Sequence, residues 1–321
     1  MEQTPLGGTG LTSSRLVLGT MTFGSQVDED GAGEMLRRAL DAGITHLDTA
    51  NSYNDGRAEG IVGRVLGSRR AEVVLATKVF NRTGPGPDQQ GLSAPAVRRA
   101  LDDSLRRLGT DYVDIYYLHQ PDWSVPIEET LAVMAELVDA GKVRHVGVSN
   151  YAAWQICEIR SLAERNGWPP VVVSQQMYNL LARSIEDEYV AFSEHAGLTD
   201  IVYNPLAGGL LTGKHQYDAA PSAGRFTNEM YRDRYWTKGQ FQAVARLGEV
   251  AADAGLSLVE LSLRWLLSRP VVDAVLLGAS SLQQLEANLA AAEGPRLDET
   301  TLKACDEVYR ELRGPIPRYN R

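Results

Sequence analysis

Eight short runs rich in Val, Ile and Leu recur along this chain: RLVLG (15–19), ITHLD (44–48), EVVLATKV (72–79), YVDIYYLH (112–119), VRHVGVS (143–149), VVVSQQ (171–176), TDIVYNP (199–205) and VDAVLLG (272–278). Between them lie apolar residues at helical spacing, in DGAGEMLRRALDAG (30–43), SAPAVRRALDDSLRRLG (93–109), PIEETLAVMAELVDAG (126–141) and YAAWQICEIRSLAERNG (151–167). Eight strands, each followed by a helical stretch, predict an α/β fold of the (β/α)8 TIM barrel type. The length of 321 residues suits one such barrel, and no Pro/Ser-rich linker or shift in composition divides it, so residues 1–321 are expected to form a single domain.

Two segments depart from the alternation. TPLGGTGLTSSRL has glycine turn chemistry and no helix before the first barrel strand, which predicts an N-terminal β-hairpin plugging the barrel bottom. The stretch from Gly208 to Lys238, after the seventh strand, is long and carries MYRDRYW at 230–236, which predicts an ordered lid loop. The competing doubly wound nucleotide fold needs G-x-G-x-x-G between a first strand and a helix. Here GGTGLTS has Ser13 in place of the third glycine and follows no strand, so the barrel is favoured.

Charge and cysteine content narrow the function classes. Lys and Arg total 32 against 41 Asp and Glu, a formal net charge of −9, and no basic block is present to bind nucleic acid or an anionic membrane. Cys157 and Cys305 lie far apart and outside any CxxC or Cys/His cluster, which argues against a disulfide framework and a structural metal site. MEQTPLGGTG lacks the order of a signal peptide and no segment reaches transmembrane length, so a cytoplasmic protein is expected.

In a barrel of this kind, catalytic groups sit at the C-terminal ends of the strands and in the loops that follow. Asp48 ends the second strand, Tyr53 follows it, Lys78 comes late in the third, and His119 closes the fourth. Each has a bland reading: a turn cap, packing, a solvated amine, a satisfied histidine. Together they are complementary. A lysine ammonium favours the phenolate of a neighbouring tyrosine, an aspartate holds that ammonium charged and aimed, and a histidine orients a carbonyl oxygen beside the hydroxyl. That equipment protonates a nascent alkoxide and implies a hydride donor opposite.

The set Asp48, Tyr53, Lys78 and His119, in DTANSY, ATKV and YYLHQPD, resembles the catalytic tetrad of the aldo-keto reductases, NADPH-dependent carbonyl reductases built on a (β/α)8 barrel. The resemblance extends through LGTMTFG (18–24), GVSNYAAW (147–154), QQMYN (175–179), YNPLAGGLLTGK (203–214) and LLGASSLQQLEANLAAAE (276–293). It implies that Ser149, Asn150 and Gln175 hold the nicotinamide carboxamide and that Tyr203 stacks on the ring. It places Asn204, Pro205, Leu206, Gly208 and Leu210 along the pyrophosphate and adds Thr20, Met21 and Asp48 to the coenzyme-contacting set. Lys214, Arg225, Ser280 and Gln284 fall near the adenosine 2′-phosphate, with Asn288 on the adenine side; two cations there favour NADPH over NADH. Some branches carry a lysine where this chain has Gly278, so phosphate recognition leans on Lys214, Arg225 and backbone.

A finer resemblance is to the aflatoxin aldehyde reductases, which also reduce succinic semialdehyde, through SNYAAWQICEI, NGW, GRF, EMYRDRYW, SSLQQLE and a chain end of the form YNR. It implies a small carbonyl substrate, including dialdehydes and semialdehydes. Arg234 and Arg321 would meet a distal carboxylate against an apolar wall of Met21 and Trp236, with Arg232 a further candidate and Tyr53 and His119 at the reacting end. Family members range from monomers to larger rings, so a homo-oligomer is compatible. Potassium channel β subunits share the same motifs, which keeps a non-enzymatic, NADPH-binding regulatory role as the alternative.

Overall fold

The computed structural model describes residues 1–219, 221 and 224–317. Arg321 lies outside the described residues.

A hairpin of β1 (Gln3–Leu6) and β2 (Leu11–Ser14) precedes eight parallel strands: β3 (Leu16–Gly19), β4 (His46–Asp48), β5 (Val74–Val79), β6 (Val113–Leu118), β7 (Val143–Ser149), β8 (Val171–Met177), β9 (Thr199–Tyr203) and β10 (Ala274–Leu277). The barrel closes by pairing β10 with β3 and with β9. Each strand falls within, or a residue from, the run that predicts it. The hairpin sits as expected: Leu6 is fully buried and packs with Val17, Val74, Ala76, Ile115 and Ile201 inside the barrel.

Around the strands run α1 (Glu29–Asp41), α2 (Arg57–Leu66), α3 (Ala94–Leu108), α4 (Ile127–Asp139), α5 (Ala153–Asn166), α6 (Tyr189–Ala196), α7 (Glu229–Tyr235), α8 (Lys238–Asp253), α9 (Leu258–Ser268), α10 (Leu282–Ala292) and α11 (Glu299–Arg313). Their ends follow local chemistry. The Asp28 side chain caps α1 by accepting from Gly31 N, Ser93 caps α3, and Gly109 closes α3 in the left-handed conformation that costs glycine little. Among the described residues, no helix is long and apolar enough to cross a membrane.

Strand periodicity is what builds the mouth of the barrel. In β5, Val74 and Ala76 pack inside while Leu75 and Val79 pack against the helices, so Lys78 continues the inward phase. The same alternation runs through Ile115 and Tyr117 to His119, through Val173 to Gln175, and through Ile201 to Tyr203. Leu47 and Val148 belong to the outer core, which turns their neighbours Asp48 and Ser149 inward. Space inside is tight: a Cβ on Gly147 would come 2.5 Å from the Tyr117 ring, so only glycine fits opposite that tyrosine.

Candidate active site

Lys78 is fully buried, and its ammonium has three acceptors: Asp48 Oδ1, the Thr49 carbonyl at 2.8 Å and the Tyr53 hydroxyl at 3.3 Å. The other Asp48 oxygen accepts from Gln175 Nε2 at 2.9 Å, so one carboxylate ties β4, β5 and β8 together. Tyr53 is positioned by the loop after β4. Asn54 and Asp55 there adopt φ of 51° and 58°, a region these residue types tolerate, and Asn54 Nδ2 donates to the Met21 and Phe23 carbonyls at 2.9 and 2.7 Å. The His119 ring lies edge-on to Tyr53, with centroids 6.1 Å apart. The four predicted groups thus meet at one mouth.

Electrostatics at the mouth differ from expectation in one respect. Lys78 was expected to favour the Tyr53 phenolate. It does pull that way, but burial outweighs it and, with Asp48 and Tyr231 adding to burial, Tyr53 is raised above the ordinary tyrosine value. Tyr53 is therefore held as a phenol. For Lys78, burial pulls the ammonium down, yet Asp48 and Tyr53 reverse this and raise it above the ordinary lysine value. Burial, then Lys78, lowers His119 to about 3, so its imidazole is neutral.

A cavity of about 1080 Å³ opens above these groups, large for a simple carbonyl compound and sufficient for a longer ligand beside it. Met21, Ser149, Asn150, Gln175, Tyr203, Asn204, Pro205, Leu206, Gly208, Lys214, Arg225, Gly278, Ser280, Gln284 and Asn288 line it, as do Asp48, Tyr53 and His119. Several already have partners. Asn150 accepts from the Tyr203 hydroxyl at 2.6 Å and donates to the His119 carbonyl at 2.9 Å. Asn204 accepts from Gly208 N at 2.7 Å, which holds the turn into the lid. Gln284 Oε1 accepts from both Ser280 N and Ser280 Oγ at 2.9 Å. Arg225 Nη1 reaches Tyr231 OH at 2.8 Å and Met21 Sδ at 3.2 Å, bridging two sides of the cavity. Lys214 has no ion-pair partner among the described residues.

Lys78 is sealed behind Asp48 and Tyr53, and of the described residues expected to touch coenzyme or substrate, four do not line this cavity. Thr20 is fully buried and its hydroxyl donates to the Asp48 carbonyl at 3.1 Å, so it supports the site from behind. Leu210 packs into the outer core. In the lid, Met230, Tyr231 and Arg234 line the cavity whereas Arg232 and Trp236 do not. The reason for Arg232 is helical phase, since α7 turns positions 230, 231 and 234 to one face and 232 away from it, while Trp236 lies just past the end of the helix. Trp236 packs against His215, Phe226 and Phe241. Arg234 has no ion-pair partner among the described residues, and neither Asp233 nor Glu229 pairs with it.

Sequence reasoning missed Thr22, Gln26, Asn81, Gln120, Tyr231 and Glu260, all of which line the cavity. The available signal was position: Asn81 and Gln120 come just after β5 and β6, at the face where loops build sites. Asn81 Nδ2 lies 3.2 Å from His119 Nδ1.

A closed parallel barrel with a Tyr–Lys–Asp chain and a neutral histidine at its mouth is the arrangement of a carbonyl-reducing oxidoreductase. The profile described as Aldo/keto reductase family matches residues 15–310. Aflatoxin B1 aldehyde reductase member 2 of Mus musculus is 39% identical across 95% of this chain and 87% of its own. Aldo-keto reductase family 7 member A3 of Homo sapiens is 38% identical across 95% and 96%. A probable voltage-gated potassium channel subunit beta of Arabidopsis thaliana is 37% identical across 96% of each chain. The chain belongs to the aldo/keto reductase family, whose members typically use NAD(P)H, and is an oxidoreductase acting on a small-molecule substrate.

Proposed function

We propose that this protein reduces aldehydes and ketones, semialdehydes and dialdehydes among them, to alcohols with NADPH, and that Tyr53 is the general acid. The observation that carries the reading is the Tyr53 hydroxyl bonded to a fully buried Lys78–Asp48 pair at the mouth of the large cavity. The cavity residues suit a nicotinamide dinucleotide. Ser149, Asn150 and Gln175 offer hydroxyl and amide groups to a carboxamide, and Tyr203 a ring face. Gly208 and Gly209, at φ of 69° and 103°, let backbone approach a pyrophosphate. Lys214 and Arg225 offer cations to a 2′-phosphate.

When bound, the coenzyme supplies the hydride that the carbonyl carbon accepts. Tyr53 gives its hydroxyl proton to the carbonyl oxygen, and the phenolate left behind is held by the Lys78 ammonium, which Asp48 and the Thr49 carbonyl keep aimed. His119, neutral, fixes the carbonyl oxygen beside that hydroxyl. Arg234 meets a carboxylate at the far end of a short semialdehyde acid, since a guanidinium fork matches a carboxylate.

The test is consumption of NADPH, followed by absorbance, with 4-nitrobenzaldehyde and a panel of aldehydes and ketones. Tyr53→Phe should lower turnover by about 10²–10⁴-fold, the usual worth of a positioned acid, while NADPH still binds. Near-normal turnover in Tyr53→Phe would sink the mechanism. Tight NADPH binding with no turnover across the panel would favour the regulatory-subunit reading.

A further inference from the structure

We infer that Asn81 is a positioning residue that fixes the ring tautomer of His119, so that Nε2 carries the proton and donates it as a hydrogen bond to the substrate carbonyl. The inference rests on the reductase reading above and goes beyond it in naming what holds the histidine. Asn81 follows β5 by two residues, and its Nδ2 lies 3.2 Å from His119 Nδ1. The histidine backbone is pinned on both sides: its N–H donates to the Val79 carbonyl at 2.9 Å and its carbonyl accepts from Asn150 Nδ2 at 2.9 Å. The ring therefore has a fixed base and one side-chain partner. Nε2 has no hydrogen-bond partner among the described residues.

A neutral imidazole has one N–H and one lone pair, and the partner of one nitrogen decides the role of the other. The amide NH2 of Asn81 donates, so Nδ1 must accept and the proton must sit on Nε2. A carboxylate at position 81 would do the reverse, accepting from Nδ1–H and turning an Nε2 lone pair toward the carbonyl oxygen. The ring is in its neutral form because burial and then Lys78 hold its pKa at about 3. The titratable groups that share its cavity include Tyr53, Asp48, Tyr203, Tyr231 and Arg234, and Lys78 acts on it from the buried side.

The tautomer is read directly from ring ¹⁵N shifts in protein labelled at histidine, the His119 signals among the five histidines being assigned by their loss in His119→Gln. The expected result is a protonated Nε2 and an unprotonated Nδ1. In Asn81→Asp the proton should move to Nδ1, and kcat/KM for 4-nitrobenzaldehyde at about pH 8 should fall roughly 10²-fold, the worth of one donor at a developing oxyanion. Activity should then recover as pH falls, because the imidazolium carries N–H on both nitrogens. The added carboxylate raises the pKa of both His119 and Tyr53; at His119 this brings the low-pH recovery into reach, whereas at Tyr53 it extends activity toward higher pH, so the two effects fall on different limbs of the profile. Asn81→Leu should lose less activity and gain no such limb. A protonated Nδ1 in the wild type overturns the inference. So does an Asn81→Asp profile parallel to the wild type, or equal losses in both variants without recovery at low pH. The ¹⁵N signature requires no turnover, so failure of the reductase reading would be seen separately in the NADPH assay.

Discussion

Replacing Asp48 by Asn keeps the shape of the side chain and removes its charge, and the surroundings of Lys78 set the consequence. The aspartate accepts from Lys78 on one oxygen and from Gln175 Nε2 at 2.9 Å on the other. Asparagine offers one acceptor and one amide nitrogen, so a donor must face a donor on one side. The ammonium keeps the Thr49 carbonyl at 2.8 Å and the Tyr53 hydroxyl at 3.3 Å but loses the one anion bonded to it among the described residues. Leaving a buried charge without its partner costs about 3–5 kcal/mol. Burial already pushes this ammonium toward release of its proton, and in the wild type Asp48 and Tyr53 reverse that push. In Asp48→Asn the folded-state pKa should drop below the unfolded value of about 10.4. The signs then oppose. In the wild type the pKa is raised, so the stability from the pair is fully present below about pH 10.4 and is lost as pH rises through the folded value. In the variant the unfolded chain holds a proton that the folded chain has released, so stability climbs with pH up to about 10.4. Urea unfolding of both proteins from about pH 7 to pH 10 should show a deficit of about 3–5 kcal/mol at the lower pH that shrinks at the higher. A deficit below about 1 kcal/mol at neutral pH, or one unchanged across the range, would refute the claim that Lys78 is charged and held by Asp48.

Removing Lys214 or Arg225 should weaken NADPH binding by about 1.5–3 kcal/mol and NADH binding far less, as read by fluorescence titration; equal weakening of both would assign these side chains to the lid, which Arg225 already joins by bonding Tyr231. Arg234→Ala should raise KM for succinic semialdehyde and leave an uncharged aldehyde of similar size unaffected; equal loss on both, or none, removes the carboxylate role. Gly63→Ala tests packing of α2 on α3. Alanine is the better helix former by about 1 kcal/mol, but its Cβ would come 2.5 Å from the Leu108 carbonyl oxygen, a backbone atom that cannot step aside. The expected net is a loss of about 1–3 kcal/mol in urea unfolding, and a more stable variant would show that the two helices move apart freely.

The barrel was legible because buried parallel strands write themselves as apolar runs, and because inward and outward positions alternate along most of the strands. That alternation carries Val74 and Ala76 to Lys78, and Ile115 and Tyr117 to His119. Contacts between distant segments were not legible. Nothing in the spacing of Gln175 says that it donates to Asp48, 127 residues away in sequence. The sequence predicts a lid loop where α7 lies, and a loop has no helical phase, so the resemblance groups Arg232, Arg234 and Trp236 together; the seven-residue helix turns Arg232 away from Arg234 and ends before Trp236. The helices α2, α6, α8, α9, α10 and α11 have no individually named helical pattern in the sequence either. Of these, α8 and α11 pack on each other outside the eightfold alternation, where the repeat predicts nothing.

The opposite behaviour of Tyr53 and His119 has a common origin. Burial resists any charge: it raises a phenol, which ionises to an anion, and lowers an imidazole, which ionises to a cation. Lys78 acts on both in one direction, offsetting burial at Tyr53 and reinforcing it at His119. Both side chains therefore rest neutral, and the Lys78 ammonium is the fixed charge that acts on both. That charge survives complete burial because Asp48 compensates it from below, through an oxygen that Gln175 leaves free by binding the other. The sequence already assigns the aspartate both tasks, holding the lysine charged and holding it aimed. The structure adds the complete burial that makes the first task necessary, and a neutral amine there would leave a Tyr53 phenolate nothing to lean on.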